Sequence, residues 1–317
     1  MTSSASRSPQ SRLALSQFRS FAIPHFRSSV QHRGCKIHPV TPIRLLAIDI
    51  DGTLLNSKFQ LSDQNLAALR RAHELGVEIA LVTGRRHKFA LPIAEQVGLP
   101  LLMISSNGAV TRSLSGETFH RDLLPAATAR RLVSEMGKFT RHLVVTFDHD
   151  ERGCLVLESM DNFTGSIFGW IEKNRQYINC VKPIESCLTS DPIQAMFCGG
   201  FARMREAQAA LFSTDVAEDL TILRTEYPAR DLAILDVMNR GCSKGTAVAR
   251  WAERRGISRT EVMAIGDNHN DREMLEFAGV PVIMGNACEE LRSNGWHVTC
   301  SHDEHGVARA IEKFIEI

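Results

Sequence analysis

From residue 42 to about residue 111, short apolar runs alternate with amphipathic stretches; the pattern then breaks and returns at about residue 239. This interrupted alternation constrains the fold more than any other feature of the sequence. An apolar run followed by an amphipathic helix is a β-α unit, and successive units build a parallel sheet with helices on both faces. The segments "RLLAIDI" (44–50), "VEIALVTG" (77–84) and "PLLMISSNGAV" (100–110) read as three strands. Between them, "SDQNLAALRRAHELG" reads as a helix capped by Ser62 and ended by Gly76, and "HKFALPIAEQVG" as a second helix. After residue 239, "SKGTAVARWAERRG", "DREMLEFAG" and "EELRSNG" read as helices, and "VMAIGDN", "VPVIMG" and "HVTC" as strands. The segment between mixes strand-like runs ("HLVVTFD", "GCLVLES", "IQAMFCGG", "LAILDVM") with helical ones ("PAATARRLVSEMGKF", "ARMREAQAALF"), the pattern of an α+β module. The expected organisation is a doubly wound parallel α/β core of residues 42–111 and 239–317, with an α+β insertion of residues 112–238.

A chain of 317 residues is long enough for two such bodies, and 44% hydrophobic with 23% charged residues is ordinary for a globular protein. No run approaches the roughly 20 apolar residues of a membrane span, so no membrane partner is expected. Residues 1–41 stand apart, with six Lys/Arg, nine Ser and no Asp or Glu; the rest carries 31 basic against 36 acidic residues. A mildly acidic body without a basic stripe argues against a nucleic-acid partner. The N-terminal segment reads either as an organellar transit peptide or as an unstructured extension or misassigned start. Eight scattered cysteines form no C-x-x-C pair and there is no secretory h-region, which points to reduced thiols and a cytoplasmic location, or an organelle if the segment is a transit peptide. Oligomeric state is left open.

The polar residues concentrate where strands of the outer segments stop. Asp49 and Asp51 end the first strand, Thr83 the second, Lys244 opens a helix in "GCSKG", and Asp267, Asn270 and Asp271 lie in "GDNHND". In open α/β sheets ligands bind at the carboxyl ends of the strands. Burying a carboxylate is costly unless it is paired or coordinates a metal. Acid-rich oxygen sites suit Mg²⁺, which binds through one or two carboxylates plus a substrate phosphate. A carboxylate can attack phosphorus covalently, and a second acid can protonate the leaving oxygen and later deprotonate water. Asp49 and Asp51 fit these two tasks, while Thr83 and Lys244 fit a phosphate clamp. Arg85, in the basic run "RRHK", either meets a leaving group or forms a solvated helix entry. Asp236, on the strand returning from the insertion, is expected to edge a sheet rather than reach the site.

In order, "DIDGTLL", "LVTGR", "SKG" and "GDNHND" resemble the four motifs of the haloacid dehalogenase superfamily of phosphatases. The interval from Asp49 to Thr83 is only 34 residues, whereas 161 separate Thr83 from Lys244, so the large insertion falls between the second and third motifs. With "SSNGA" (105–109) and "VMNRGCSKG" (237–245), this arrangement is similar to the Cof-type, subfamily IIB branch. The resemblance spans about residues 43–315 and implies a Rossmann-like core with a type IIB (C2) cap. It implies that Asp49 is the nucleophile forming an aspartyl-phosphate and Asp51 the general acid/base. Asp49, the backbone carbonyl of Asp51 and Asp267 would hold Mg²⁺, with Asp271 supporting the metal. Thr83, Lys244 and Asn107 would bind the phosphoryl or leaving group, and Asn270 would order its loop. The implied activity is hydrolysis of a small phosphomonoester, a sugar phosphate or a phosphorylated cofactor. A phosphomutase on the same scaffold and a non-catalytic phosphometabolite sensor are the alternatives.

Overall fold

The computed structural model describes residues 42–315; the N-terminal segment read as a transit peptide or extension lies outside the described residues, as do residues 316–317. The chain begins with β1 (Leu45–Ile48), α1 (Asp63–Glu74), β2 (Glu78–Val82), α2 (His87–Val97), β3 (Leu102–Ser105), β4 (Val110–Ser113) and β5 (Thr118–Arg121). The insertion follows as α3 (Ala126–Glu135), β6 (Leu143–Thr146), β7 (Leu155–Leu157), α4 (Ser166–Lys173), β8 (Ile178–Cys180), β9 (Gln194–Gly199), α5 (Phe201–Phe212), β10 (Leu220–Tyr227) and β11 (Leu232–Asn239). The chain then returns through α6 (Lys244–Arg254), β12 (Val262–Gly266), α7 (Arg272–Phe277), β13 (Val280–Ile283), α8 (Glu289–Arg292), β14 (His297–Val298) and α9 (Gly306–Phe314).

The outer segments form one eight-stranded sheet in the order β14-β13-β12-β1-β2-β3-β4-β5. Its strands are parallel from β14 to β3. The continuous apolar run of β1 follows from burial on both faces. Leu46 and Ile48 pack with Ala68 and Leu69 of α1 and Ile311 of α9, while Leu45 and Ala47 pack with Val248 of α6 and Leu275 of α7. Chain progression reverses at β1, where β2 and β3 lie on one side and β12 and β13 on the other. The carboxyl ends of β1 and β12 therefore flank the crevice in which such sheets bind ligands. Ser62 caps α1 as the sequence predicts, its side chain accepting from Asn65 N, and Gly76 ends that helix region with φ +85°.

"PLLMISSNGAV" is not one strand. β3 stops at Ser105, the chain turns at Ser106–Gly108, and β4 runs back antiparallel with Ser105 opposite Val110. Ser106, Asn107 and Gly108 all have positive φ (50°, 54° and 106°). A Cβ on Gly108 would stand 2.1 Å from the Ser243 carbonyl oxygen, so only glycine fits this turn. Paired in turn with β4, β5 carries the first sheet to Arg121. The expected boundary at 111/112 thus falls inside β4, because the hairpin satisfies its backbone groups on the core sheet.

The inserted segment forms a second sheet in the order β10-β11-β9-β6-β7-β8, antiparallel except for the β7/β8 pair. α3 and α5 cover one face, and α4 packs on the other. Of these elements, α4, β8 and β10 were not expected from the sequence, nor was α9 in the core. A small apolar cluster of Ala109, Val110, Ile193, Leu223, Met238 and Cys242 joins the two sheets. Among the described residues no helix is long and apolar enough to cross a membrane, and the seven cysteines are free.

Candidate active site

Asp49 is the first residue past β1, and its amide donates to the Ile265 carbonyl of β12 (3.0 Å). The chain then turns at Gly52, with φ +84°; a Cβ there would lie 2.3 Å from Asp267 Oδ2. Glycine after Asp51 therefore lets the loop close against the carboxylate that follows β12. Thr53 Oγ1 donates to Asp267 Oδ1 (3.2 Å), and Asn286 Nδ2 donates to the Gly52 carbonyl (2.9 Å).

Lys244 opens α6 behind the Ser243 N-cap and is wholly buried. Its Nζ donates to Asp49 Oδ1 (2.5 Å) and to Asp271 Oδ1 (2.6 Å). The other oxygen of Asp271 accepts from the backbone amides of Asp267 and Asn268, each at 3.0 Å, and so fixes the loop that presents Asp267. One carboxylate oxygen from each of Asp49, Asp267 and Asp271 lies within 4.8 Å of the others. Burial pushes the Asp49 carboxyl up to about 7: Lys244 opposes this rise, and Asp271 and Asp51 add to it. Asp267 is raised well above the usual carboxylate range by burial and by its two acidic neighbours. Two buried carboxylates and the half-buried Asp267 against one ammonium leave the cluster short of positive charge. These hard oxygen donors fit a small divalent cation.

Asp51 is placed differently. Its side chain is outside this cluster and is forked by Arg85, with Nε 2.6 Å from Oδ2 and Nη2 on Oδ1. Thr83, past the end of β2, is buried; its hydroxyl accepts from the Arg85 amide (3.1 Å) and its carbonyl from the Asn107 amide (2.9 Å). Asn107 and Asn270 meet side chain to side chain, Asn270 Nδ2 donating to Asn107 Oδ1 (2.9 Å).

Asp236 does not merely edge a sheet. It is buried on β11 and accepts from Asn107 Nδ2 (2.9 Å) and Gln194 Nε2 (3.0 Å), which links the cap sheet to the core. Burial raises its carboxyl to about 7, against the Asn107 hydrogen bond and Lys244. A second link ties the end of β10 to the "GDNHND" loop: Asn268 Nδ2 donates to the Glu226 carbonyl (3.1 Å), and the Glu226 amide donates to Asn268 Oδ1 (3.4 Å). The next residue, Tyr227, has its phenol raised by burial and further by Asp51, Asp49 and Asp267. Sequence reasoning found no site role for Tyr227 or Gln194, because their partners are brought in only by folding of the cap.

The sequence profile of the haloacid dehalogenase-like hydrolases matches residues 46–311. The chain belongs to that family. It is 32% identical over 294 residues to phosphatase YwpJ of Bacillus subtilis, covering 86% of this chain and all of that one. It is 32% identical over 257 residues to the HMP-PP phosphatase of Escherichia coli, covering 80% of this chain and 89% of that one. The fold is shared with the subclass IIB sugar phosphatase BT4131, with a TM-score of 0.69 over 86% of this chain and all of that one at 22% identity. The protein is therefore a Cof-type hydrolase with a Rossmann-like core and a type IIB cap.

Proposed function

We propose that this hydrolase is a Mg²⁺-dependent phosphatase acting on a small phosphomonoester through an aspartyl-phosphate. The observation that carries this reading is the ion-paired cluster of Asp49, Lys244, Asp271 and Asp267 at the switch point of the sheet. Asp49, the backbone carbonyl of Asp51 and Asp267 would hold the metal, with Asp271 fixing the loop behind them. When bound, Mg²⁺ supplies charge neutralisation between an anionic nucleophile and an anionic substrate.

In the first step a carboxylate oxygen of Asp49 bonds to phosphorus as the bond from phosphorus to the leaving oxygen breaks. Asp51 gives its proton to that oxygen, so a neutral alcohol departs. In the second step water bonds to phosphorus and gives a proton to Asp51 while the acyl-phosphate bond breaks, which restores Asp49 and releases inorganic phosphate. Lys244 holds Asp49 in line and offsets charge, and Thr83 with Asn107 binds the phosphoryl oxygens. The cap, tied to the core at Asn107 and Asn268, covers the substrate and excludes water at the attack step. YwpJ and the HMP-PP phosphatase are phosphatases by name, and BT4131 is a sugar phosphatase. Sugar phosphates and phosphorylated cofactors are the substrate classes to try first.

The test is phosphate release from a panel of sugar phosphates, nucleotides, pyridoxal phosphate and flavin mononucleotide, with Mg²⁺ or EDTA. Asp49→Asn and EDTA are each expected to abolish release. Turnover that survives Asp49→Asn would refute the covalent route.

A further inference from the structure

Arg85 has no task in the steps above, yet it occupies the position next to the acid. Its backbone is anchored by the Thr83 hydroxyl on its amide (3.1 Å) and by the Ser106 amide on its carbonyl (2.8 Å). The guanidinium forks both oxygens of Asp51, and its side chain keeps 28% exposure. The other cations of "RRHK" are turned elsewhere. Arg86 donates to Cys154 Sγ and the His149 carbonyl, and Lys88 to the Asp150 carbonyl, all on the β6–β7 loop. The two Glu226–Asn268 bonds hold the end of β10 against the loop that presents Asp267.

For either Asp51 oxygen to meet the leaving oxygen of a substrate, one contact of the Arg85 fork must open. A guanidinium released from a carboxylate has two parallel N–H donors and a full charge that need another oxyanion of matching geometry. Because its nitrogens contact the oxygens of Asp51 directly, the released fork stays near oxyanions two or three bonds beyond the bridging oxygen. We infer that Arg85 forms the leaving-group subsite, and that this subsite selects phosphate esters and anhydrides whose leaving group carries a second oxyanion, phosphate or carboxylate, close to the scissile bond. The inference rests on the phosphatase reading and narrows its substrate class.

The experiment compares kcat/KM of the full chain on four probes. Inorganic pyrophosphate and 2-phosphoglycolate carry the second oxyanion; glucose 6-phosphate and p-nitrophenyl phosphate have leaving groups without one. The wild type should prefer the first pair. Arg85→Met should lower the ratio between the pairs by roughly 10- to 100-fold, the range for a charge-assisted hydrogen bond. Arg85→Lys should recover part of that ratio, since it keeps the charge and loses the fork. The preference within the first pair tells phosphate from carboxylate. An equal loss on all four probes in Arg85→Met would mean that Arg85 acts through Asp51 alone and would overturn the inference, as would a wild-type preference for the second pair. No phosphate from any probe with folded wild type would sink the phosphatase reading as well, so the two failures are distinct.

Discussion

Replacing Lys244 by methionine removes the one ammonium beside the carboxylates of Asp49, Asp271 and Asp267 while keeping most of the length of the side chain. In the wild type its Nζ stands 2.5 Å from Asp49 and 2.6 Å from Asp271, with no solvent exposure. Breaking a buried ion pair by deleting one partner costs about 3–5 kcal/mol. The two pairs share one ammonium, so their losses do not add. Protonation limits the cost: Asp49 already sits near 7 with Lys244 beside it and rises further without it. A carboxylate with a raised folded pKa favours the folded state below its unfolded pKa of about 4, and that stability is lost as pH rises through the folded value. The variant should therefore be about 3–5 kcal/mol less stable than wild type at about pH 8 in EDTA, and the gap should shrink by about half or more near pH 5.5. Urea unfolding, followed by far-UV circular dichroism at several pH values, measures both. Excess Mg²⁺ should recover part of the loss at high pH, because it binds the folded carboxylates. A deficit below about 1 kcal/mol at pH 8, or one that does not change with pH, would refute the claim that Lys244 neutralises this cluster.

Other perturbations test separate parts of the structure. Asp236→Asn keeps the shape but removes a buried carboxyl held at about 7. Relative to wild type the variant should gain up to about 4 kcal/mol between pH 4 and pH 7, because only the wild type loses stability as that carboxyl ionises; parallel stability–pH curves would count against it. Gly52→Ala places a methyl 2.3 Å from Asp267 Oδ2 at a φ of +84°. It should destabilise by about 2–4 kcal/mol and weaken activation by Mg²⁺, measured as the half-saturating metal concentration. An unchanged metal titration would show that the Gly52 turn does not set the position of Asp267.

What the sequence revealed follows the range over which each feature is determined. Ser62 and Gly76 act within a few residues of themselves, so the limits of α1 were legible. The apolar run of β1 is buried on both faces and stood out for that reason. Asp49, Thr83, Lys244 and Asp267 were legible as polar residues ending strands or opening a helix, and the fold sets the Lys244 ammonium on Asp49 with a carboxylate oxygen of Asp267 within 4.8 Å of Asp49. The β3–β4 hairpin was missed although Asn107-Gly108 is a strong turn signal, because apolar residues on both sides made one long run. β10 lies at the edge of its sheet, and its sequence "LTILRTEY" shows no clean alternation. Asp236 was misread because its partners, Gln194 and Asn107, are 42 and 129 residues away. No local pattern marks a carboxylate whose hydrogen bonds come from a neighbouring strand and from a turn in the other body.

The path between the two sheets has a consequence for how such a protein can change. The chain leaves the first sheet after Arg121 and returns through Asn239, and there Asn239 Nδ2 donates to Asp122 Oδ1 at 2.7 Å. Departure and return share one doorway. All eight strands of the first sheet pair with one another without any strand from residues 123–238. A short turn joining positions 122 and 239 would span almost no distance, and closing so small a loop costs little entropy. The intervening segment is thus a cassette: recombination at this doorway can exchange one inserted body for another while the eight-stranded sheet and its cluster of Asp49, Lys244, Asp267 and Asp271 are inherited intact.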